Sequence, residues 1–69
     1  MTAKKLIEAA IGYSGISCAE FGRRMGWSPQ NTVKRLSTGK FTVEEWLNIG
    51  RALGAETILT FRFPDGKEI

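Results

Sequence analysis

The side chains best equipped for binding chemistry are concentrated in the middle third of the chain. Residues 21–43 hold five of the ten Lys and Arg side chains and none of the seven acids, a net charge of +5 within a chain of net charge +3. Amides and hydroxyls lie among these cations, in the run Ser28-Pro29-Gln30-Asn31-Thr32. Cations pair with phosphates, and amides hydrogen-bond to the polar edges of bases. This mixture is typical of a surface that binds nucleic acid.

The chain is poorly supplied for catalysis and for metal binding. It has no histidine and one cysteine, Cys18, which excludes the commonest general base, a cysteine zinc cluster and an intrachain disulfide. The adjacent Glu44 and Glu45 point to different faces of a helix and do not form an acid–base pair. We therefore expect no enzyme activity, no metal and no cofactor. The lone thiol and the lack of an apolar run of about 18 residues favour a cytoplasmic, nucleoid-associated protein.

Helix start and stop signals predict the elements that position these groups. The spacing of a capping box occurs twice, in residues 17–20 and 42–45, and Ser28 before a proline is a third N-cap. The predicted helices cover residues 3–12, 17–25, 28–38 and 42–53. Glycines suited to a left-handed C-cap end the last three helices, namely Gly26, Gly39 and Gly54.

The third predicted helix has an apolar side and a polar side. At about 100° per residue, Pro29, Val33 and Leu36 fall together, and we expect them to face the core. The polar residues of this helix fall on the opposite side or its flanks: Asn31, Lys34, Arg35 and Thr38 opposite, with Gln30 and Thr32 flanking. The outward side therefore combines amides, hydroxyls and cations with no acid.

The last part of the chain changes from a helical period to alternation. Leu59, Phe61 and Phe63 share one face of this pattern, which predicts a β-strand over residues 56–63 and a turn over 64–66. An isolated hairpin is marginal in water. We therefore expect one face of the strand to pack on the helices, and its edge to pair with the same strand of a second chain.

The residues that mark these elements resemble the lambda-repressor/Cro-like (XRE-type) helix-turn-helix proteins, in particular small prophage-type members. The resemblance covers residues 6–54 and rests on short strings: Gly15-Ile16-Ser17, Phe21-Gly22, Met25-Gly26-Trp27-Ser28, Val33, Leu36, Gly39, Ile49-Gly50 and Ala52-Leu53-Gly54. It implies a single, mainly α-helical domain over residues 1–69, with four helices and a C-terminal dimerisation strand or hairpin. It also implies operator binding as a dimer, usually to repress transcription. Cys18 stands where this family often has a phosphate-binding glutamine.

The expected function is sequence-specific binding of double-stranded DNA by a homodimeric transcriptional regulator, on a pseudo-palindromic operator. Base contacts are expected from the third helix: Gln30, Asn31, Thr32, Lys34 and Arg35. Phosphate contacts are expected from caps and flanking cations: Ser17, Cys18, Arg23, Arg24, Ser28, Thr38 and Lys40. The expected dimer interface is Leu59, Phe61 and Phe63. The alternative interpretation is an antitoxin or protein-interaction adaptor built on the same helices.

Overall fold

Capping residues specify where each helix begins in the computed structural model, which describes residues 2–69. Four hydroxyl side chains precede helices in extended conformation, and each accepts a hydrogen bond from the amide three residues further on: Thr2, Ser17, Ser28 and Thr42. The helices are α1 (Ala3–Ser14), α2 (Cys18–Met25), α3 (Pro29–Thr38) and α4 (Val43–Leu53). The four predicted helices are confirmed, but α1 runs two residues past its predicted end, to a left-handed Gly15.

One of the two predicted capping boxes is complete. The amide of Glu45 donates to the Thr42 hydroxyl at 3.1 Å, and the amide of Thr42 donates to the Glu45 carboxylate at 2.9 Å. At the start of α2 the amide of Glu20 donates to the Ser17 hydroxyl at 3.0 Å, but the Glu20 carboxylate does not return to the Ser17 amide. Two arginines one turn further along α2 bind that carboxylate instead, so the second half of this predicted box is wrong.

The core is small and is shared by all four helices. Its buried apolar side chains are Ile7, Ile11, Phe21, Leu36, Ile49 and Ala52. A series of aromatic rings covers one side of it, with centroid separations of 6.0 Å from Phe21 to Trp27, 6.3 Å from Trp27 to Phe41 and 5.3 Å from Phe41 to Trp46. The last contact is a hydrophobic staple, because Phe41 precedes the N-cap of α4 and Trp46 is the fourth residue of that helix.

The helices α2 and α3 approach closely where Gly22 faces Thr32. A Cβ atom at Gly22 would overlap the Thr32 hydroxyl. Thr32 is 2% exposed, and its hydroxyl donates to the carbonyl oxygen of Ser28 at 2.9 Å. Because this hydroxyl is satisfied inside its own helix, threonine can occupy a core position. The predicted inward side of α3 is therefore wrong by about one residue, since Thr32 and Leu36 face the core while Val33 is 64% exposed.

The chain after α4 crosses that helix and then leaves it. A Cβ at Gly50 would overlap the Thr57 hydroxyl, which donates to the carbonyl oxygen of Trp46 at 3.0 Å. Thr57 is the last residue that bonds to α4, and all the residues after it, 58–69, are exposed.

The C-terminal strand prediction is wrong within the described residues. Residues 61–69, here called the C-terminal arm, form a narrow hairpin whose ladder is one isolated bridge, between Arg62 and Glu68. Phe61 and Ile69 exchange two backbone hydrogen bonds of 2.8 and 2.9 Å, and the predicted turn over 64–66 is present. The alternating pattern does not give a strand, because residues 56–61 carry no regular secondary structure and no neighbouring strand is available to form a sheet with them.

The helices of residues 2–69 are too short or too polar to cross a lipid bilayer.

Candidate nucleic-acid interface

The outward side of α3 is a polar stripe that runs along the whole helix. Gln30, Asn31, Ser37 and Thr38 are exposed and lie within about 60° of Lys34 around the helix axis. The helix contains no acid. Two amides therefore stand at the N-terminal end of the stripe, with a cation in the middle and hydroxyls at the C-terminal end. In helix-turn-helix proteins, the N-terminal residues of the recognition helix contact base edges in the major groove, and amide side chains pair with adenine.

The predicted phosphate contacts at helix caps remain accessible. The Ser28 hydroxyl accepts from the Asn31 amide at 3.1 Å, and both residues are exposed. Ser17 caps α2 in the same way, and Cys18 is exposed at the first position of that helix. The Thr38 hydroxyl donates to the carbonyl oxygen of Lys34 at 2.9 Å. Ser17, Cys18 and Ser28 lie at exposed helix starts, where amides and the helix dipole favour anions, whereas Thr38 lies at the end of α3.

Thr32 and Arg35, both predicted to contact bases, do not belong to the outward stripe. Thr32 is buried against Gly22, so its hydroxyl does not reach the surface. Its predicted flanking place is wrong, because the close approach of α2 requires a small side chain that satisfies its own polar group.

Arg35 lies beside two aromatic rings that stack on each other. Its guanidinium carbon lies 5.4 Å from the centroid of the Trp27 ring and 5.3 Å from that of Phe41. It also forms an ion pair with Glu45, the residue that completes the capping box of α4. Its Nε atom is buried with no hydrogen-bond partner in the described chain. The predicted outward place of Arg35 is wrong, because cation–π contacts and the carboxylate hold the guanidinium beside the core.

Arg23 and Arg24 are also paired. Both donate to the Glu20 carboxylate, and these hydrogen bonds hold the pKa of the Glu20 carboxyl below its ordinary value. Arg24 donates in addition to the carbonyl oxygen of Ala52 in α4, at 2.9 Å. Because Gly22 faces α3, a residue two positions further on lies about 200° away around the axis of α2. Arg24 therefore lies on the side of α2 that faces α4, away from the polar stripe.

Four of the six cations without an ion pair in residues 2–69 lie along the stripe or between its end and the start of α1. Lys34 and Lys40 are exposed and belong to no ion pair. A Cβ at Gly39 would lie 3.7 Å from the Cβ of Ala3, which places the end of α3 beside the first turn of α1. Lys4 and Lys5 are exposed on that first turn. These two lysines are not among the predicted contacts, since they precede Lys40 by 36 and 35 residues in the chain.

Val33 is a second residue that sequence reasoning placed elsewhere. It is exposed beside Gln30, at the edge of the polar stripe. An apolar group at such an edge can contact a thymine methyl group. Gly22 is the sequence signal that could have predicted the exposure of Val33. A glycine in α2 indicates a close approach of α3, and the residue of α3 that packs there is Thr32 rather than Val33.

The predicted dimer residues are exposed rather than packed on the helices. Leu59 and Phe61 are each 69% exposed and Phe63 is 47% exposed. The expected packing of one strand face against the helical body is therefore wrong. The segment lies beyond Thr57, the last residue that bonds to α4.

The chain matches no protein-family model, no curated protein and no solved structure. The chemistry of the α3 face and its surroundings therefore carries the functional argument.

Proposed function

We propose that this chain binds double-stranded DNA sequence-specifically through the outward stripe of α3, as a homodimeric transcriptional regulator of the phage-repressor type. The helix-turn-helix formed by α2, the turn Gly26-Trp27-Ser28 and α3 would set α3 into the major groove. The observation that carries the proposal is the composition of the stripe. It joins Gln30 and Asn31 to Lys34, with no acid on α3 and with further cations at its end.

Base readout is assigned to the N-terminal half of the stripe. Gln30 and Asn31 can each donate to and accept from an adenine edge, and Lys34 can donate to guanine O6 and N7. Val33 lies beside Gln30 and is suited to a thymine methyl group. Thr32 and Arg35 have no part in this readout, because Thr32 is buried and Arg35 lies against two aromatic rings and pairs with Glu45.

Phosphate contacts are assigned to both ends of the stripe. Ser17, Cys18 and Ser28 lie at the starts of α2 and α3, where free amides and the positive ends of helix dipoles favour phosphate. Lys40 and the two lysines of the α1 start lie at the other end. Contacts of this kind set affinity and register, and they give the binding its salt dependence.

The test is selection of bound duplexes from a random pool, followed by affinity measurements on the selected site. Each phosphate contact lowers the logarithm of affinity by about 0.9 per tenfold rise in salt. Lys34→Ala is expected to weaken binding at least tenfold. Arg51→Ala removes the same charge from an exposed position of α4, where Arg51 bonds only to Asn48 in the described chain, and serves as the matched control. Failure to enrich any sequence, or equal losses for the two variants, contradicts the proposal.

A further inference from the structure

An apolar groove runs between α1, α4 and the segment that follows α4. It has a volume of about 530 Å³ and is open to solvent along one side. Its exposed apolar walls are Leu6, Val43, Leu47, Ile58 and Leu59. The one charged side chain that lines it is Glu56. Large groups of exposed apolar residues mark sites that contact a protein, a membrane or a ligand.

The C-terminal arm carries the other large exposed apolar group. Phe61, Phe63 and Ile69 are exposed on the hairpin, and together with the groove walls they make up eight of the ten large exposed apolar side chains in residues 2–69. The Cα radius of gyration is 13.2 Å, against about 11 Å expected for a compact chain of this length. The long dimension is 43 Å and the others are 22 and 20 Å. This shape fits an arm that extends beyond the helices.

The arm is badly placed to fill the groove of its own chain. Leu59 is the last residue that lines the groove, and the hairpin closes at Phe61 through its two hydrogen bonds to Ile69. Two residues of extended chain span only about 7 Å. A closed hairpin has too little chain between these points to reverse direction and lie along the groove.

We infer that the groove is the docking site for the C-terminal arm of a second copy of this chain, and that the two copies exchange arms reciprocally. Each copy supplies one apolar groove and one apolar arm, so a two-fold axis covers both of the exposed surfaces. Complete burial of the eight side chains would remove on the order of 900 Å² from each copy, similar to the roughly 800 Å² per partner of a standard-size interface. Arm exchange between identical chains is a common route to a dimer.

This inference rests on the two-copy form of the proposed regulator, and it replaces pairing between strand edges with contact between two different surfaces. A dimer formed by strand pairing depends on both arms and does not depend on the groove. Arm exchange needs one intact arm and one intact groove for each contact. The two arrangements therefore respond differently to variants of the groove.

The experiment is sedimentation equilibrium without DNA, over a range of protein concentrations. The parent chain is expected to reach twice its 7.7 kDa mass. Phe61→Asp in the arm and Leu47→Asp in the groove are each expected to raise the dissociation constant at least a hundredfold. An equal mixture of the two variants is expected to form dimers where neither does alone, because one combination joins an intact arm to an intact groove.

Tyr13→Asp is the matched control, since Tyr13 is the most exposed large apolar side chain and lies outside both surfaces. It is expected to leave the dissociation constant within threefold of the parent value. Circular dichroism checks the helix content, and Ile58→Asp, at a groove wall that is 75% exposed, is the second groove variant if Leu47→Asp unfolds. A groove variant as dimeric as the parent, a mixture that stays monomeric, or a monomeric parent overturns the inference. A monomeric parent that still selects a DNA sequence leaves the proposed sequence-specific DNA binding intact and removes only the two-copy form.

Discussion

At the scale of single residues, polar side chains in α3 were the hardest to place from sequence. Thr32 is buried because Gly22 gives it room and the Ser28 carbonyl satisfies its hydroxyl. Arg35 is half-buried, because its guanidinium lies beside two aromatic rings and pairs with a carboxylate ten residues away. Helical periodicity does not predict the contacts of Thr32 or of Arg35, because both sets of contacts join separate elements.

The Gly22–Thr32 contact gives a prediction on stability. Gly22→Ala is expected to lower the free energy of unfolding by about 1–3 kcal/mol, because the new methyl group overlaps the Thr32 hydroxyl. Thr32→Ala removes the overlapping hydroxyl. In urea denaturation, the double variant is therefore expected to lose less unfolding free energy than the two single variants together, by at least about 0.5 kcal/mol. Strict additivity would show that the two residues do not meet.

Glu45 gives a prediction on pH dependence. The Thr42 amide that donates to this carboxylate, with Arg35 beside it, holds the pKa of Glu45 below its usual range. A lowered folded pKa means that the ionised group stabilises the fold above its unfolded pKa, and that this stabilisation is lost as pH falls through the folded pKa. The melting temperature of the parent is expected to fall between about pH 5 and about pH 3, and Glu45→Gln is expected to flatten that fall.

Glu44→Gln is the control for this measurement, because Glu44 is exposed on the same turn and forms no ion pair within residues 2–69. Its melting curve is expected to follow the parent at every pH. An equal flattening by both substitutions would assign the effect to net charge rather than to the cap and its arginine.

At the scale of elements, helix starts were predictable and the packing between helices was not. The N-caps Ser17, Ser28 and Thr42 are local signals, because a hydroxyl and an amide three residues on make the contact alone. Which side of α3 faces the core, and whether residues 56–63 form a strand, both depend on a neighbouring element. In the first case the partner is α2, and in the second no neighbouring strand is available.

The adjacency of α1 and the end of α3 gives a prediction on salt dependence. Lys40→Ala is expected to weaken binding to all duplexes alike and to reduce the magnitude of the salt slope by about 0.9 per copy. The pair Lys4→Ala and Lys5→Ala is expected to act in the same way through Lys4, because Ala3 lies against Gly39 and Lys4 follows it, whereas Lys5 lies about 200° from Ala3 around α1. Fluorescence anisotropy titrations at several salt concentrations measure both effects. An unchanged slope for the Lys4 and Lys5 variants would exclude the α1 start from the interface.

At the scale of the whole molecule, the basic middle third is less basic than its sequence indicates. Its net charge is +5, but Arg23 and Arg24 are bound by Glu20, and Arg35 is bound by Glu45. Acids from both flanking thirds thus neutralise the cations on the sides of the domain. Four of the six cations left without ion pairs in the described chain lie along the stripe or at the start of α1, and the other two, Arg51 and Lys67, lie on α4 and in the C-terminal arm.

The two-copy form adds a spacing requirement. Two α3 helices related by a two-fold axis would read half-sites about 34 Å apart, one turn of DNA. Selected sequences are therefore expected to be pseudo-palindromic, with half-site centres about 10 base pairs apart.

The most direct measurement of the central claim is the sequence preference of Gln30→Ala beside that of the parent, obtained by selection from the same random pool. Gln30 stands at the N-terminal end of the stripe and is exposed, so its loss removes a base contact without disturbing the core. The variant is expected to lose preference at one position of each half-site, by about 1–3 kcal/mol of discrimination, and to keep the preference elsewhere. An unchanged profile, or a uniform loss across all sequences, would contradict base readout by this face of α3.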